Sequence, residues 1–168
     1  MPVTYEPIAT TTLGAAAANI TFSSISSAYT DLKIIVANYK TASGTQDICL
    51  RLNGDSSTVY SFTAMRGDGT LATSNRGTAY PRAMLAPGSW SSTTVPATSI
   101  IDIFNYLGST NKTILCKTAA EGTEANQIHV SVNLWRNTSA INSVAIFNSG
   151  SVNISAGTTA TLYGIKKA

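Results

Sequence analysis

Residues 127–135 read QIHVSVNLW, and polar and apolar side chains alternate from Gln127 to Leu134. Successive side chains of a β-strand point to opposite faces of its sheet, so this alternation is typical of a strand with one buried face. We therefore predict a strand here, with its apolar side chains in the core and its polar side chains in solvent or at an interface. The apolar set is Ile128, Val130, Val132 and Leu134.

The same period of two recurs in residues 31–39, 47–52 and 60–64. β-Branched and aromatic residues indicate further strands, with Gly, Asn, Asp, Ser or Pro between them. Tight turns are predicted at Asn53-Gly54 and Asp68-Gly69, because these residue types accept positive φ. The alanine-rich run at 13–18 is too short for a stable helix. The further strands are predicted near residues 6–13, 18–23, 79–85, 98–106, 112–118, 142–148 and 158–166, and the longest loops at 69–78 and 86–97.

About ten short strands with no intervening helix predict an all-β fold. We expect a single antiparallel β-sandwich of jelly-roll-like topology. A chain of 168 residues fits one domain, so residues 1–168 are taken as one sandwich. Residues 1–13 are predicted to form either an extended arm or an edge strand.

Charged residues make up only 11% of the chain, where an ordinary soluble domain has roughly 25%. Ser, Thr, Asn and Gly take their place, which gives a surface with little charge repulsion between neighbouring molecules. The net charge of +3 comes from scattered basic residues, and no basic cluster is present to bind phosphates. The composition predicts contact with other proteins and no binding to nucleic acid.

The chain also lacks the patterns of export and membrane insertion. Its first residues contain no basic segment followed by an apolar one, so no signal peptide is predicted. No apolar run approaches the roughly 20 residues of a membrane span. We expect synthesis in a cytoplasm and no membrane association. Cys49 and Cys116 are expected to be half-buried thiols, although a disulfide between them is left open.

The sequence offers little material for catalysis or metal binding. The single histidine, His129, is expected on the polar face of its strand with no carboxylate beside it, whereas a catalytic triad needs an acid that orients the base. One histidine and two distant cysteines do not form a zinc pattern. Residues 53–56 resemble a fragment of a calcium loop, but a turn explains them. We predict no enzyme activity, no catalytic residue, no metal and no cofactor.

Two further motifs need an explanation. Residues 66–68 spell the cell-attachment tripeptide Arg-Gly-Asp, which we interpret as a hairpin turn. Large aromatic side chains could stack against a sugar ring. The candidates for such a platform are Trp90, Trp135, Tyr60, Tyr80 and Tyr106. Core packing or a subunit contact accounts for Trp135 more simply, while both interpretations stay open for Trp90.

Five short phrases of the sequence occur in a characteristic order. They are ITFSSI at 20–25, YTDLKI at 29–34, LRLNGDS at 50–56, LWRNTSAI at 134–141 and GTTATLYGI at 157–165. In these phrases the chain resembles small virion structural proteins of tailed, cyanophage-like bacteriophages. The resemblance covers most of the chain and is weakest at residues 70–100. It implies a β-sandwich that decorates a capsid or belongs to a tail or fibre, with assembly as a homotrimer, and it carries over no site residues.

The expected function is that of a capsid decoration (cement) protein in the virion, bound over junctions of the major capsid protein. Its partners would be the major capsid protein and further copies of itself. Contacts are expected from an extended terminus and exposed aromatic side chains. The alternative is a tail or fibre adsorption module that binds host surface glycans. The candidate contact residues are Tyr5, Ile8, Leu13, Trp90 and Trp135.

Overall fold

The computed structural model describes residues 4–88, 91–121 and 126–166, which contain β-strands and no α-helix. None of these residues belongs to a helix with the length and apolarity needed to cross a bilayer. The strands are β1 (Tyr5–Thr12), β2 (Asn19–Phe22), β3 (Asp31–Tyr39), β4 (Ile48–Leu52), β5 (Tyr60–Gly67), β6 (Ala72–Tyr80), β7 (Ala83–Ala86), β8 (Ala97–Phe104), β9 (Lys112–Glu121), β10 (Asn126–Trp135), β11 (Val144–Asn148) and β12 (Thr159–Ile165).

The strands form two antiparallel sheets. The larger has eight strands in the order β1-β12-β3-β8-β9-β10-β5-β6, and the smaller has four in the order β2-β11-β4-β7. Neighbours such as β12 and β3, or β11 and β2, are far apart in the sequence, so the chain crosses repeatedly between the two sheets. The protein is an all-β, jelly-roll-like antiparallel sandwich, as the sequence predicted.

The core lies between the sheets and follows the predicted alternation in most strands. In β3, Leu32, Ile34 and Val36 are buried, while the residues between them are half-buried on the other side. The inward set of β5 begins with Tyr60 and that of β4 includes Leu50. Apolar side chains of both sheets therefore interdigitate in the middle, which supplies the main driving force for folding.

The tight turn predicted at Asn53-Gly54 is confirmed, since both residues have positive φ. Two other predictions about the chain between β5 and β7 are wrong. The segment 69–78, predicted as a loop, contains most of β6, and the single strand predicted at 79–85 is divided between β6 and β7. Among the described strands, β6 pairs with β5 alone and forms an edge of the larger sheet. Its side chains are mostly exposed, so no apolar alternation marks it.

The Arg-Gly-Asp tripeptide lies where β5 enters the turn to β6. The carboxylate of Asp68 accepts hydrogen bonds from the backbone N–H groups of Thr70 at 3.0 Å and Leu71 at 2.7 Å. These two bonds hold the turn, which supports the interpretation of residues 66–68 as hairpin geometry.

The N-terminal segment forms an edge strand. β1 pairs with β12 from Tyr5 opposite Ile165 to Thr12 opposite Thr159, with an irregularity between Pro7 and Ala9. Of the two forms predicted for residues 1–13, the described part takes the edge strand, not the extended arm.

β10 has the opposite face inward from the one that the sequence predicted. His129, Ser131 and Asn133 are buried, whereas Ile128 is 59% exposed and Val132 is 47% exposed. The period of two was correct, but the apolar side chains of this strand cover the outside of the sheet. The prediction of an apolar inner face for β10 is therefore wrong.

The polar residues of β10 face inward because they lie against the edge of the smaller sheet. β7 pairs with β4 on one side, and its other side faces the inner surface of β10. There the N–H of Met84 donates to Oδ1 of Asn133 at 2.8 Å, and the C=O of Met84 accepts from Oγ of Ser131 at 2.9 Å and Nδ2 of Asn133 at 3.0 Å. Buried backbone groups need partners, and here side chains of β10 provide them.

We expect Asn133→Ala to lower the free energy of unfolding by about 2–3 kcal/mol, because it leaves the buried N–H of Met84 without its acceptor. Urea unfolding measures the change. Asn111→Ala, at an exposed position just before β9, serves as the control and should stay within about 0.5 kcal/mol of the parent. Equal effects of the two substitutions would contradict the proposed role of Asn133.

Candidate functional site

The outer surface of the larger sheet carries a continuous group of apolar side chains on β8, β9, β10 and β5. The strand register places Ile100, Lys117, Val130 and Met65 in one row across the sheet, and the next row includes Leu115 beside Val132. We call this surface the apolar sheet face. Its apolar members are Ile100, Leu115, Ile128, Val130, Val132 and Met65.

The most exposed members of the apolar sheet face are Met65 at 63% and Ile128 at 59%, and Ile100 is 37% exposed. Single exposed apolar residues are ordinary in soluble proteins, but neighbouring ones on adjacent strands form a patch of the kind found at binding sites. The backbone beneath them is fixed by strand pairing on both sides. This surface is therefore suited to contact with another protein.

The charges on the same face are mainly positive. Asp102 forms an ion pair with Lys33, so its charge is neutralised locally. Lys117 lies in the row of Ile100 and Val130, and Arg76 lies on β6 opposite Thr63. Within the described part of the chain, neither Lys117 nor Arg76 takes part in an ion pair. A partner with carboxylates would complement these two cations.

On the inner side of β10, β5 and β6, a cleft with a volume of about 270 Å³ opens beside β7 of the smaller sheet. Phe62, Met84 and Pro87 supply its apolar lining, and Arg66 and His129 lie among its polar lining residues. The register places His129 opposite Arg66, and Arg66 opposite Thr73 on the edge strand. Asn75 lines the cleft from the next inward position of β6.

His129 was expected on an exposed polar face, and this expectation is wrong because only 3% of its surface is exposed. Burial lowers the pKa of His129, a hydrogen bond with the backbone of Leu85 opposes that shift, and the positive charge of Arg66 lowers it further. Among the described residues, the charged group that shifts the pKa of His129 is thus a cation, whereas a catalytic triad requires an acid.

The candidate calcium-loop fragment forms a turn. The carboxylate of Asp55 accepts from the N–H of Ser57 at 2.9 Å and from Nε1 of Trp135 at 2.8 Å. The hydroxyl of Ser57 is the main cause of the lowered pKa of Asp55, and Trp135 contributes to it. No group of three metal-ligating side chains occurs among residues 4–88, 91–121 and 126–166.

Both cysteines are free, so the expectation of two thiols is confirmed and the disulfide left open is not formed. They are completely buried and not half-buried as expected. Burial raises the pKa of Cys49 to about 12 and that of Cys116 to about 12. At neutral pH both remain protonated, and a protonated thiol is a poor nucleophile.

The aromatic platform predicted for sugar binding is not formed by the residues proposed for it. Trp135, Tyr60 and Tyr106 are completely buried. Trp135 stacks on Tyr60 with the ring centroids 6.3 Å apart. Core packing is therefore the correct interpretation of Trp135, and its prediction as a partner contact is wrong. Tyr80 is half-buried against the edge of Phe62. Trp90 lies outside the described residues.

Three predicted contact residues lie at the N-terminal end of the chain. Tyr5 is 50% exposed on the edge strand β1 and is open to a partner. Ile8 and Leu13 are half-buried and pack against the main core. Most of their contact surface is therefore used within the sandwich, and they are not free anchors of the kind expected for an arm.

Sequence reasoning missed both the apolar sheet face and the cleft. The face was missed because β10 was assigned the wrong inward side. The cleft was missed because its wall, β6, was predicted as a loop. The signal available for the apolar sheet face was the alternation of apolar residues in β8 and in β10. No sequence pattern indicates that Arg66 and Asn75 lie near each other.

No protein-family model and no curated protein matches this sequence. Among solved structures, the galectin LEC-6 of Caenorhabditis elegans is similar with a TM-score of 0.39 and 10% identity, over 91% of this chain and 94% of the galectin. A scytalido-glutamic peptidase in complex with a peptide-based transition state analog is similar with a TM-score of 0.24 and 9% identity, over 93% of this chain and 66% of the peptidase. At these scores neither likeness bears on function.

We expect the protein to lose stability as the pH falls from about 7.5 to 5. The pKa of His129 is lower in the folded chain than in the unfolded chain, so protons bind preferentially to the unfolded chain below the ordinary histidine pKa of about 6.5. The stabilisation from neutral, buried His129 is present above that pH and decreases below it. Urea unfolding across this pH range measures the effect.

His129→Gln keeps a neutral side chain that does not titrate, and it should flatten the dependence between about pH 7.5 and 5. The carboxyl groups with lowered pKa values, Glu6, Asp55 and Asp68, contribute only at lower pH and are unchanged in the variant. An unchanged slope in the glutamine variant would show that another group titrates.

Proposed function

We propose that this chain is a structural subunit of a bacteriophage virion. In this proposal it is a capsid decoration protein that binds the major capsid protein through the apolar sheet face. The observation that carries the proposal is the exposure of Met65, Ile128, Val132 and Ile100 on the contiguous, fully paired strands β8-β9-β10-β5. The resemblance of the sequence to small virion proteins supports the particular setting.

The physical basis of docking is burial of apolar surface on a preformed support. Removing such surface from water contributes about 25 cal/mol for each Å². Because the strands beneath the apolar sheet face are already paired on both sides, little conformational entropy is lost when a partner binds. A subunit that binds the mature shell and not its precursor stabilises the mature shell by mass action.

The charges indicate what kind of surface the partner presents. Lys117 and Arg76 lie at the apolar sheet face, and the charge of Asp102 is already neutralised by Lys33. If two copies bound each other through this face, their Lys117 and Arg76 side chains would come close together. Repulsion between these cations would weaken the binding. A capsid surface that combines apolar side chains with carboxylates fits better.

Self-association as a homotrimer is a separate part of the proposal. The low proportion of charged residues, 11%, supports close contact between copies. Because the apolar sheet face is assigned to the capsid, trimer contacts would lie on other surfaces, such as the edge strands or Tyr5. The role requires no catalysis, cofactor, nucleic acid or membrane.

The alternative function is adsorption to host glycans from a tail or fibre. The aromatic residues predicted for glycan stacking do not support it, because Trp135, Tyr60 and Tyr106 are buried in the core. The specific observation that still favours it is the polar cleft around Arg66. The copy number per virion distinguishes the locations, since a decoration protein is present in many copies and a tail-tip protein in few.

We expect the double substitution Ile128→Thr with Val132→Thr to weaken binding to capsids that lack the protein by about tenfold or more, because it removes apolar contacts at the centre of the docking surface. Threonine retains strand propensity, and both positions are exposed, so stability should change little. Sedimentation of capsids with purified protein measures the bound fraction. Leu71→Thr, at an exposed apolar residue in the β5–β6 turn, is the matched control.

The control should bind like the parent. If the double variant also reaches full occupancy, the apolar sheet face is not the docking surface. If the parent protein does not bind capsids and is present in only a few copies per virion, the decoration role is wrong and a tail location follows.

We also expect Lys117→Glu to weaken capsid binding most strongly at low ionic strength, because it replaces an attraction to carboxylates by a repulsion that salt screens. The same sedimentation assay at about 0.05 M and 0.5 M salt measures this dependence. Lys40→Glu, a change of the same charge outside the apolar sheet face, is the control. Equal losses for both variants would mean that only net charge matters.

A further inference from the structure

We propose that the cleft between β6 and β7 binds a monosaccharide unit that carries a carboxylate, such as a hexuronic acid. This inference does not depend on capsid docking. The cleft is on the inner side of the larger sheet, whereas the apolar sheet face is on the outer side. Substitutions at one surface therefore leave the other intact.

Arg66 is the group that would recognise the carboxylate. Its Nε donates a hydrogen bond to Oγ1 of Thr73 at 2.7 Å, which fixes the plane of the guanidinium against the edge strand. The terminal nitrogen atoms have no acceptor among the described residues, so they are the donors available to a ligand. A guanidinium held in this way matches the two oxygens of a carboxylate.

The electrostatic setting favours an anion. None of the described residues that line the cleft carries a carboxylate, while Arg66 contributes a full positive charge. His129 lies directly opposite Arg66 on the neighbouring strand and lines the same cleft. One described carboxylate, that of Asp68, interacts electrostatically with Arg66, but it does not line the cleft and accepts from the N–H groups of Thr70 and Leu71. A negatively charged ligand therefore enters without repulsion from the described lining.

The rest of the lining suits a sugar ring. Phe62, Met84 and Pro87 offer apolar surface for ring C–H groups, and the side chain of Asn75 offers both a donor and an acceptor for hydroxyl groups. The volume of about 270 Å³ is close to the lower end for ligand sites and is suited to one ring.

The apolar wall is rigid before any ligand binds. Phe62 packs edge-to-face against Tyr80, with the ring centroids 5.2 Å apart. This packing requires glycine at position 77, because a Cβ atom there would lie 2.5 Å from both rings. A wall already fixed by such contacts loses little entropy on binding, which favours affinity for a small ligand.

The test is a titration of the full-length protein with glucuronate, followed by backbone amide NMR. Glucose, with the same ring and no carboxylate, and N-acetylaspartate, with carboxylates and no sugar ring, are titrated in parallel. We expect saturable shifts at Arg66, Thr73, Asn75 and His129 with glucuronate, and at least about tenfold weaker binding of the other two compounds.

Arg66→Gln should weaken glucuronate binding by about tenfold or more, while Arg76→Gln should leave it unchanged. Arg76 is the matched control because it belongs to the same hairpin but lies on the outer side of the sheet. Asn75→Ala is a second variant, at an exposed side chain whose loss does not threaten folding, and it should also weaken binding. Thermal unfolding checks that each variant is folded.

Three results would overturn the proposal: no saturable shift with glucuronate, equal binding of glucose, or equal binding of N-acetylaspartate. The first result would mean that the cleft does not bind glucuronate. The second would mean that the carboxylate is not recognised, and the third that the sugar ring is not recognised. Loss of binding in the Arg76 variant would likewise contradict the assignment to Arg66. None of these outcomes affects capsid docking, which is measured with different variants.

Discussion

The structure depends on how the open edge of β7 is satisfied inside the sandwich. In the part of the chain that the structure describes, the smaller sheet ends at β7, and the N–H and C=O groups of Met84 at this edge face the inner surface of the larger sheet rather than water. Leaving such groups unpaired in the core is costly. The side chains of Asn133 and Ser131 form the hydrogen bonds with Met84 that a neighbouring strand would otherwise form. These bonds connect the two sheets.

This constraint determines both candidate functional surfaces. Since β10 must turn its polar residues inward toward β7, its apolar residues Ile128 and Val132 cover the outer side of the sheet. The same inward polar set includes His129, which lies opposite Arg66 and lines the cleft beside β7. The apolar sheet face and the cleft are opposite sides of one strand arrangement. Their separation allows one subunit to engage a protein and a small ligand independently.

Much of the fold was predictable because several strands have an unambiguous apolar side. In β3 the predicted period of two is observed, and Leu32, Ile34 and Val36 form its inward side. β6 was not predictable, because an edge strand with two exposed sides needs no alternation. The candidate sites were hardly predictable. The environment of Lys112 was not predictable either, because no sequence pattern indicates it. Its side chain is buried, and its ammonium donates to the carbonyl groups of Gly108 and Thr110, both at 2.6 Å.

By itself, the sequence determined an all-β sandwich with short turns, because period-two alternation and residues that accept positive φ are local properties of the chain. The tertiary structure decided which side of β10 is inside, which aromatic residues are buried and which polar residues meet in the cleft. Alternation shows that a strand has two different faces. It does not show which face is inward when the sheet can bury either one. The layer packed against the strand makes that choice, through the hydrogen bonds that its own backbone requires.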